Sequence, residues 1–167
     1  GQVPIEFYMS EQWFMKMDEL IKPAMDAVNK EKINFYPKHW SKTYNHWLSN
    51  IKDWCISRQL LWGHQIPVWY HKDDKTKIHV SINEPIDSEN WVRDTDVLDT
   101  WASSWIWPIG VHAWPEQDEG LKKFYPTNTL VTGPDIIFFW VARMIISGYE
   151  FMGELPFKDV YFTSILR

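Results

Sequence analysis

Leu130-Val131-Thr132-Gly133-Pro134-Asp135-Ile136-Ile137-Phe138-Phe139-Trp140-Val141-Ala142-Arg143-Met144-Ile145-Ile146 decides the fold. Leu130-Val131-Thr132 reads as a strand, and Gly133 turns the chain. Pro134 suits a first helical position, and Asp135 suits a first turn, where a negative charge favours the helix dipole. Ile136 to Ile146 is apolar nearly all round, which predicts a buried helix, and Gly148 is the expected stop. Phe157 to Ile165 holds Val160-Tyr161-Phe162, a second buried strand. Strand, helix and strand at this spacing make a βαβ unit with an expected right-handed crossover. The fold class is therefore α/β, with a parallel-sheet unit near the C-terminus. The carboxyl end of the first strand, Thr132 to Asp135, is where open α/β sheets bind ligands.

Working outward, the N-terminal part predicts helices. From Ser10, the positions Trp13, Met17, Leu20, Ile21, Ala24, Met25 and Val28 follow helical spacing, with Ser10 as N-cap and Asn29 as stop. Pro37 precedes a second helical pattern at Tyr44, Trp47, Leu48 and Ile51. A dense block from Asp53 to Pro67 starts apolar and is punctuated by Gly63 and Pro67. His71 to Asn90 is polar, contains Lys72-Asp73-Asp74-Lys75, and reads as a hairpin or variable surface loop. Trp101 to Trp107 is a short helix candidate, capped by Asp99 and stopped by Pro108. Trp114 to Tyr125 reads as a polar connector.

Composition narrows the function classes. The chain has 167 residues, about one domain. Its 12 Trp, 9 Phe and 7 Tyr give ample material for a core and exclude a disordered chain. A net charge of −5 argues against an autonomous nucleic-acid binder. No apolar stretch reaches the ~20 residues of a membrane span, and Arg143 breaks the longest candidate. No secretory signal opens the sequence, so the reduced cytoplasm is the expected compartment. The single Cys55 excludes an internal disulfide, and the six scattered His form no metal motif.

Several residues keep two readings open. Gly133 permits close backbone approach and Asp135 accepts from hydroxyls, which suits a nucleotide ribose; a plain turn and a helix-dipole charge explain them equally simply. Trp62 and Trp101 wall an apolar pocket or pack a core. Arg58 meets a carboxylate or phosphate, or forms a structural ion pair. Cys55 is expected to be a buried, inert thiol.

Together, the ordered blocks resemble the class I aminoacyl-tRNA synthetases of the valine, isoleucine and leucine subgroup. They are Ser10-Glu11-Gln12-Trp13-Phe14, then Asp53 to Pro67 with Ile56-Ser57-Arg58-Gln59-Leu60-Leu61-Trp62-Gly63-His64 at its centre. Next come Asp96-Val97-Leu98-Asp99-Thr100-Trp101-Ala102-Ser103-Ser104, Gly133 to Met144, and Phe157-Lys158-Asp159-Val160-Tyr161. The resemblance covers nearly the whole chain outside His71 to Asn90. Asp99-Thr100-Trp101 and Phe138-Phe139-Trp140 favour the valyl branch.

The resemblance implies a Rossmann-like catalytic domain, of which residues 1–167 are the C-terminal half after the editing insertion, with 71–90 a variable surface loop. The HIGH and KMSKS signatures are absent, so no catalytic residue is expected here, and the chain alone is expected to be inactive. The implied whole enzyme joins valine to ATP with Mg2+ and passes it to tRNA(Val). By resemblance, Trp62, Val97 and Trp101 wall the valine pocket. Gly133 and Asp135 face the adenylate ribose, Ile136 lies nearby, and Ser164 and Ile165 border the adenine. Leu61, Ala102, Pro134 and Ser164 depart from the family wording, and Ser164 stands where Gly is frequent. No metal ligand is expected; the loop after Tyr70 carries none of the zinc cysteines of some relatives. An isoleucyl-type synthetase segment and a non-catalytic, aromatic-rich binding module are the alternatives. Half a parallel sheet would also leave an open edge through which copies self-associate.

Overall fold

The computed structural model describes residues 3–116, 119–164 and 166. In chain order its elements are β1 (Phe14–Met15), α1 (Ile21–Asn29), β2 (Asn34–Tyr36), α2 (Trp40–Ser49), β3 (Trp54–Cys55), β4 (Ser57–Arg58), β5 (Val68–His71), β6 (Ile78–Val80), β7 (Trp91–Arg93) and β8 (Val97–Leu98). There follow α3 (Trp101–Ser104), α4 (Trp107–Gly110), α5 (Glu119–Phe124), β9 (Thr127–Thr132), α6 (Arg143–Ser147) and β10 (Phe157–Phe162). Two compact units form: one from the residues up to Met15 with Cys55–Leu98, the other from Lys16–Trp54 with Asp99 onward.

The second unit carries the parallel sheet, in the order β2-β10-β9. β10 runs parallel to both neighbours, with Val160 opposite Phe35 on β2 and Leu130 on β9. The βαβ unit is thus realised, and β10 is central. Val160 and Phe157 are buried accordingly. Between β9 and β10 the chain makes a 3-10 turn at Pro134–Ile136 and then one helical stretch. That stretch is π-helical at Ile137–Ala142, α-helical through α6, and π-helical again at Gly148–Met152. Every residue from Val141 to Gly148 is buried, as an all-round apolar helix requires. α1 and α2 pack against this stretch. Tyr44 on α2 is fully buried, meets Phe35 edge-on at 5.2 Å, and donates its hydroxyl to the Ala24 carbonyl at 3.1 Å. Burial pushes the Tyr44 hydroxyl far above the ordinary phenol range. A smaller apolar cluster joins Ile109, Leu121 and Tyr125.

Several expectations are corrected here. The first helix begins at Ile21, and Ser10 and Trp13 lie outside it. Pro23 explains this, because its ring clashes with the carbonyl four residues back and it tolerates only a first turn. Gly148 does not end the later helix: its backbone is helical, and the stop is Gly153 at φ 72°. Gly148 is needed for its size. A Cβ there would lie 2.8 Å from Pro156 Cδ and 2.9 Å from both the Glu154 carbonyl and the Tyr125 hydroxyl. The N-cap position of α3 falls on Thr100 and not on Asp99, whose carboxylate accepts from the Trp54 indole at 2.9 Å. Pro108 does not stop a helix but sits in the first turn of α4. The connector from Trp114 to Tyr125 contains α5, with Leu121 buried.

The first unit is antiparallel. β6-β5-β7 form one sheet, with Val68 opposite Val80 and Tyr70 opposite Val92. The polar stretch after His71 is thus in part a hairpin. Its turn is set by Asp74, whose Oδ1 accepts from the Thr76 amide at 3.1 Å and the Thr76 hydroxyl at 2.6 Å. β4 pairs with β8, setting Arg58 opposite Val97.

Candidate functional site

The turn after β9 is built by the parallel ladder. Thr132 is buried, and its carbonyl accepts from the Thr163 amide at 3.0 Å. That bond carries the β9–β10 pairing one step past Phe162, so Gly133 and Ser164 continue from neighbouring strand ends. Gly133 is extended at φ −79° and ψ 148°, so its conformation does not require glycine. Its missing side chain matters instead: the Asp135 Oδ1 occupies the place a Cβ would take. Asp135 is exposed, Ile136 half-buried and Ser164 exposed. Gly133, Asp135, Ile136 and Ser164 are therefore brought to one end of the sheet; Ile165 lies outside the described residues. A carboxylate that accepts hydroxyl donors, next to a backbone with no Cβ, suits a vicinal diol at the carboxyl end of parallel strands.

Trp101 opens α3 in the same unit. It is half-buried and stacks on Phe139, with ring centroids 5.7 Å apart and planes inclined by 22°. A four-residue helix has no stability of its own; α3 is held by the helical stretch after the turn. The Trp140 indole donates to the Ser104 carbonyl at 3.0 Å, and the Ser147 hydroxyl reaches the Trp105 carbonyl at 2.6 Å. Beneath them lies a cluster the sequence reading missed. The Asp99 Oδ2 is 3.6 Å from Arg143 Nη1, and the Arg143 guanidinium carbon sits 3.6 Å from the centroid of the Trp54 ring. Both Asp99 and Arg143 are buried. The signal was present: an arginine inside an otherwise apolar helix needs a buried partner.

In the other unit, Trp62 is 92% exposed and Val97 buried. Val97 packs on the backbone of Gly63, which has φ 152° and would hold a Cβ only 2.9 Å from Val97 Cγ2. The Leu98 amide donates to the His64 carbonyl at 2.8 Å, and Gln65 bridges to Val97. Trp62 and Val97 thus belong to one unit and Trp101 to the other. Arg58 donates to the Cys55 and Ser57 carbonyls at 2.9 and 2.8 Å. Cys55 is half-buried, its Sγ 3.8 Å from Gln12 Oε1. A separate groove in this unit is lined by Trp13, Tyr70, Arg93 and Asp94 and holds none of the expected site residues. There the Asp94 Oδ2 accepts from Trp13 at 2.9 Å and Tyr70 at 3.0 Å; burial and that bond raise the Tyr70 hydroxyl above its ordinary range. Among the described residues, no three His, Cys, Asp or Glu side chains converge as a metal site. No helix in the described residues is long and apolar enough to cross a membrane.

Comparison with known proteins places this geometry. The family described as tRNA synthetases class I (I, L, M and V) matches residues 5–167, and the chain belongs to it. It is 55% identical over its whole length to the valine–tRNA ligase of Chlorobaculum tepidum and 54% identical over 98% of its length to that of Bacillus subtilis. It spans only 19% of the length of each of these relatives. Its fold is similar to that of Mycobacterium tuberculosis methionyl-tRNA synthetase bound by methionyl-adenylate. That likeness has a TM-score of 0.61 at 16% identity, over 92% of this chain and 26% of the other. The Agrobacterium radiobacter LeuRS–tRNA–LeuAMS complex is similar at a TM-score of 0.53 and 17% identity, over 69% of this chain and 19% of that one. These likenesses establish the Rossmann-like synthetase fold.

Proposed function

We propose that the chain is one segment of a valine–tRNA ligase, the C-terminal half of its catalytic domain, with 71–90 a variable surface stretch. The whole enzyme activates valine with ATP and charges tRNA(Val), in the cytoplasm. The observation that carries this reading is the turn after β9, where the Asp135 carboxylate lies against the bare α-carbon of Gly133. In a chain 55% identical to a valine–tRNA ligase, that arrangement is suited to the ribose of an adenylate.

In activation, a valine carboxylate oxygen attacks the α-phosphorus of ATP. The bond from that phosphorus to the β-phosphate bridging oxygen breaks, and pyrophosphate leaves. A terminal hydroxyl of the tRNA then attacks the valyl carbonyl carbon, and AMP leaves. Magnesium accompanying the ATP would neutralise charge at the triphosphate; among the described residues no cluster of His, Cys, Asp or Glu converges to hold it. The residues of this chain bind and orient. Asp135 accepts from the ribose hydroxyls, Gly133 faces the same ribose and leaves room for that carboxylate, Ile136 lies nearby, and Ser164 and Ile165 border the adenine. Trp101 supplies one apolar surface for the valine side chain, and Trp62 and Val97 are proposed as further valine-recognition residues. Fixed apolar walls reject a larger side chain by size but discriminate poorly against an isosteric hydroxyl amino acid. Holding the two substrates in line is worth much of the barrier in a reaction that depends on positioning.

The test is amino-acid-dependent ATP–pyrophosphate exchange by the full-length enzyme containing this segment. Exchange supported by valine and not by isoleucine is expected. Asp135→Ala should raise the KM for ATP by about tenfold, the loss of a charge-assisted hydrogen bond. Exchange that prefers isoleucine, or an Asp135→Ala enzyme with unchanged ATP dependence, would contradict the reading.

A further inference from the structure

We propose that Arg143 and Asp99 are positioning residues for amino-acid specificity: buried together on Trp54, they set where Trp101 stands. This rests on the proposed role of Trp101 in valine recognition. Asp99 is two residues before Trp101, and α3 begins at Trp101 itself. So short a helix takes its place from whatever grips its ends. At its start the grip is the Asp99 carboxylate, which faces the Trp54 indole donor at 2.9 Å and the Arg143 guanidinium at 3.6 Å. At its end the grips are the carbonyls of Ser104 and Trp105, reached by Trp140 and Ser147. Phe139 lies under the Trp101 ring, one turn before Arg143 on the same helical stretch, and the Arg143 guanidinium is 5.7 Å from its centroid. Every one of these grips comes from Trp54 or from residues 139 to 147. That helical stretch is the one that begins at the Gly133–Asp135 turn. The cluster therefore ties one aromatic ring to the helical stretch that leaves the nucleoside turn, with Trp54 as the second anchor.

The chemistry of the cluster explains why arginine serves here. The guanidinium carbon sits 3.6 Å from the centroid of the Trp54 ring while one of its nitrogens is 3.6 Å from the Asp99 carboxylate, and a planar cation can serve both at once. Lysine keeps the charge and loses the stacking plane. Asparagine at position 99 keeps an acceptor for the Trp54 indole and loses the charge.

The experiment measures pyrophosphate exchange by the full-length enzyme carrying Arg143→Lys or Asp99→Asn, with KM for valine and for ATP and active-site titration of each variant. The expected result is a rise in the KM for valine on the order of tenfold, with the KM for ATP within about twofold of wild type and a normal active fraction. Discrimination between valine and its smaller homologue alanine should narrow in parallel. Loss of active fraction with both KM values unchanged would overturn the proposal, since a merely structural role does that. An equal rise in both KM values would overturn it too. Where Arg143→Lys proves insoluble, Asp99→Asn decides between the same outcomes, and Phe139→Leu, which removes the ring stacked on Trp101, must reproduce the valine-selective defect. A wild-type enzyme with no valine-dependent exchange would instead sink the functional reading, so the two failures are distinguishable.

Discussion

Gly148→Ala isolates one close approach in the helical stretch. In an ordinary helix interior, this change stabilises by about 1 kcal/mol. Here the new methyl would lie 2.8 Å from Pro156 Cδ, 2.9 Å from the Glu154 carbonyl and 2.9 Å from the Tyr125 hydroxyl. Two of those three neighbours are a proline ring and a backbone carbonyl, which do not swing aside. Overpacking of this kind costs about 1–3 kcal/mol, and the upper end applies. The Tyr125 hydroxyl also donates to the Glu154 carbonyl at 3.1 Å, and spreading that pair forfeits about 1 kcal/mol more. Against the propensity gain, the net loss is about 2–3 kcal/mol. At ~2–4 °C per kcal/mol for a chain of this size, the melting temperature falls by roughly 4–12 °C. Thermal denaturation of the full-length enzyme carrying this segment, followed by tryptophan fluorescence, measures it. Adding Tyr125→Phe removes one of the three obstructions and should recover part of the loss. A Gly148→Ala chain more stable than wild type by the full propensity increment would refute the reasoning, because it would mean that the contacts give way freely.

Tyr44→Phe should cost about 1 kcal/mol at neutral pH, the typical worth of the hydrogen bond to Ala24. Because folding raises the Tyr44 hydroxyl's pKa, its contribution is complete below the ordinary phenol value of ~10 and is lost as pH climbs above it. Denaturation midpoints between pH 8 and 12 should therefore fall less steeply for the variant. Gly63→Ala should destabilise by about 1–3 kcal/mol, since φ 152° disfavours any side chain and Val97 Cγ2 is 2.9 Å away; adding Val97→Ala should relieve the clash but not the backbone strain, which urea denaturation of the single and double variants separates. Trp101→Ala in the full-length enzyme should raise the KM for valine by about tenfold and leave that for ATP nearly unchanged, as pyrophosphate exchange reads; equal effects on both would mark Trp101 as core.

The parallel unit was legible because its signals are strong and local. Gly133 and Pro134 punctuate it, the apolar run from Ile136 is long, and Val160 and Phe162 mark the second strand. β2 went unread because Asn34–Tyr36 is three residues long and takes its identity from pairing with β10, 125 residues away for Asn34 and Asp159. The helical spacing from Ser10 runs ahead of the helix itself, and Pro23, which fits only a first turn, is the signal that sets the start at Ile21. Gly148 and Gly153 are indistinguishable in one sequence; only the neighbours of the first and the backbone of the second separate size from turn. For the site, the turn from Thr132 to Asp135 was legible as the carboxyl end of a strand, while Ser164 came only from the family resemblance. Their expected roles came from family resemblance, since a lone Gly and Asp at a turn specify no ligand. The Asp99–Arg143–Trp54 cluster joins three distant stretches, and no spacing rule finds it, although an arginine in a buried helix called for a partner.

The most direct measurement is a crystal structure of the full-length enzyme with a non-hydrolysable valyl-sulfamoyl adenosine. The account predicts ribose hydroxyls within hydrogen-bond distance of the Asp135 carboxylate, the adenine beside Ser164, and the valyl methyls against Trp101. An analogue bound with its ribose away from the Gly133–Asp135 turn, or with its side chain away from Trp101, would contradict it.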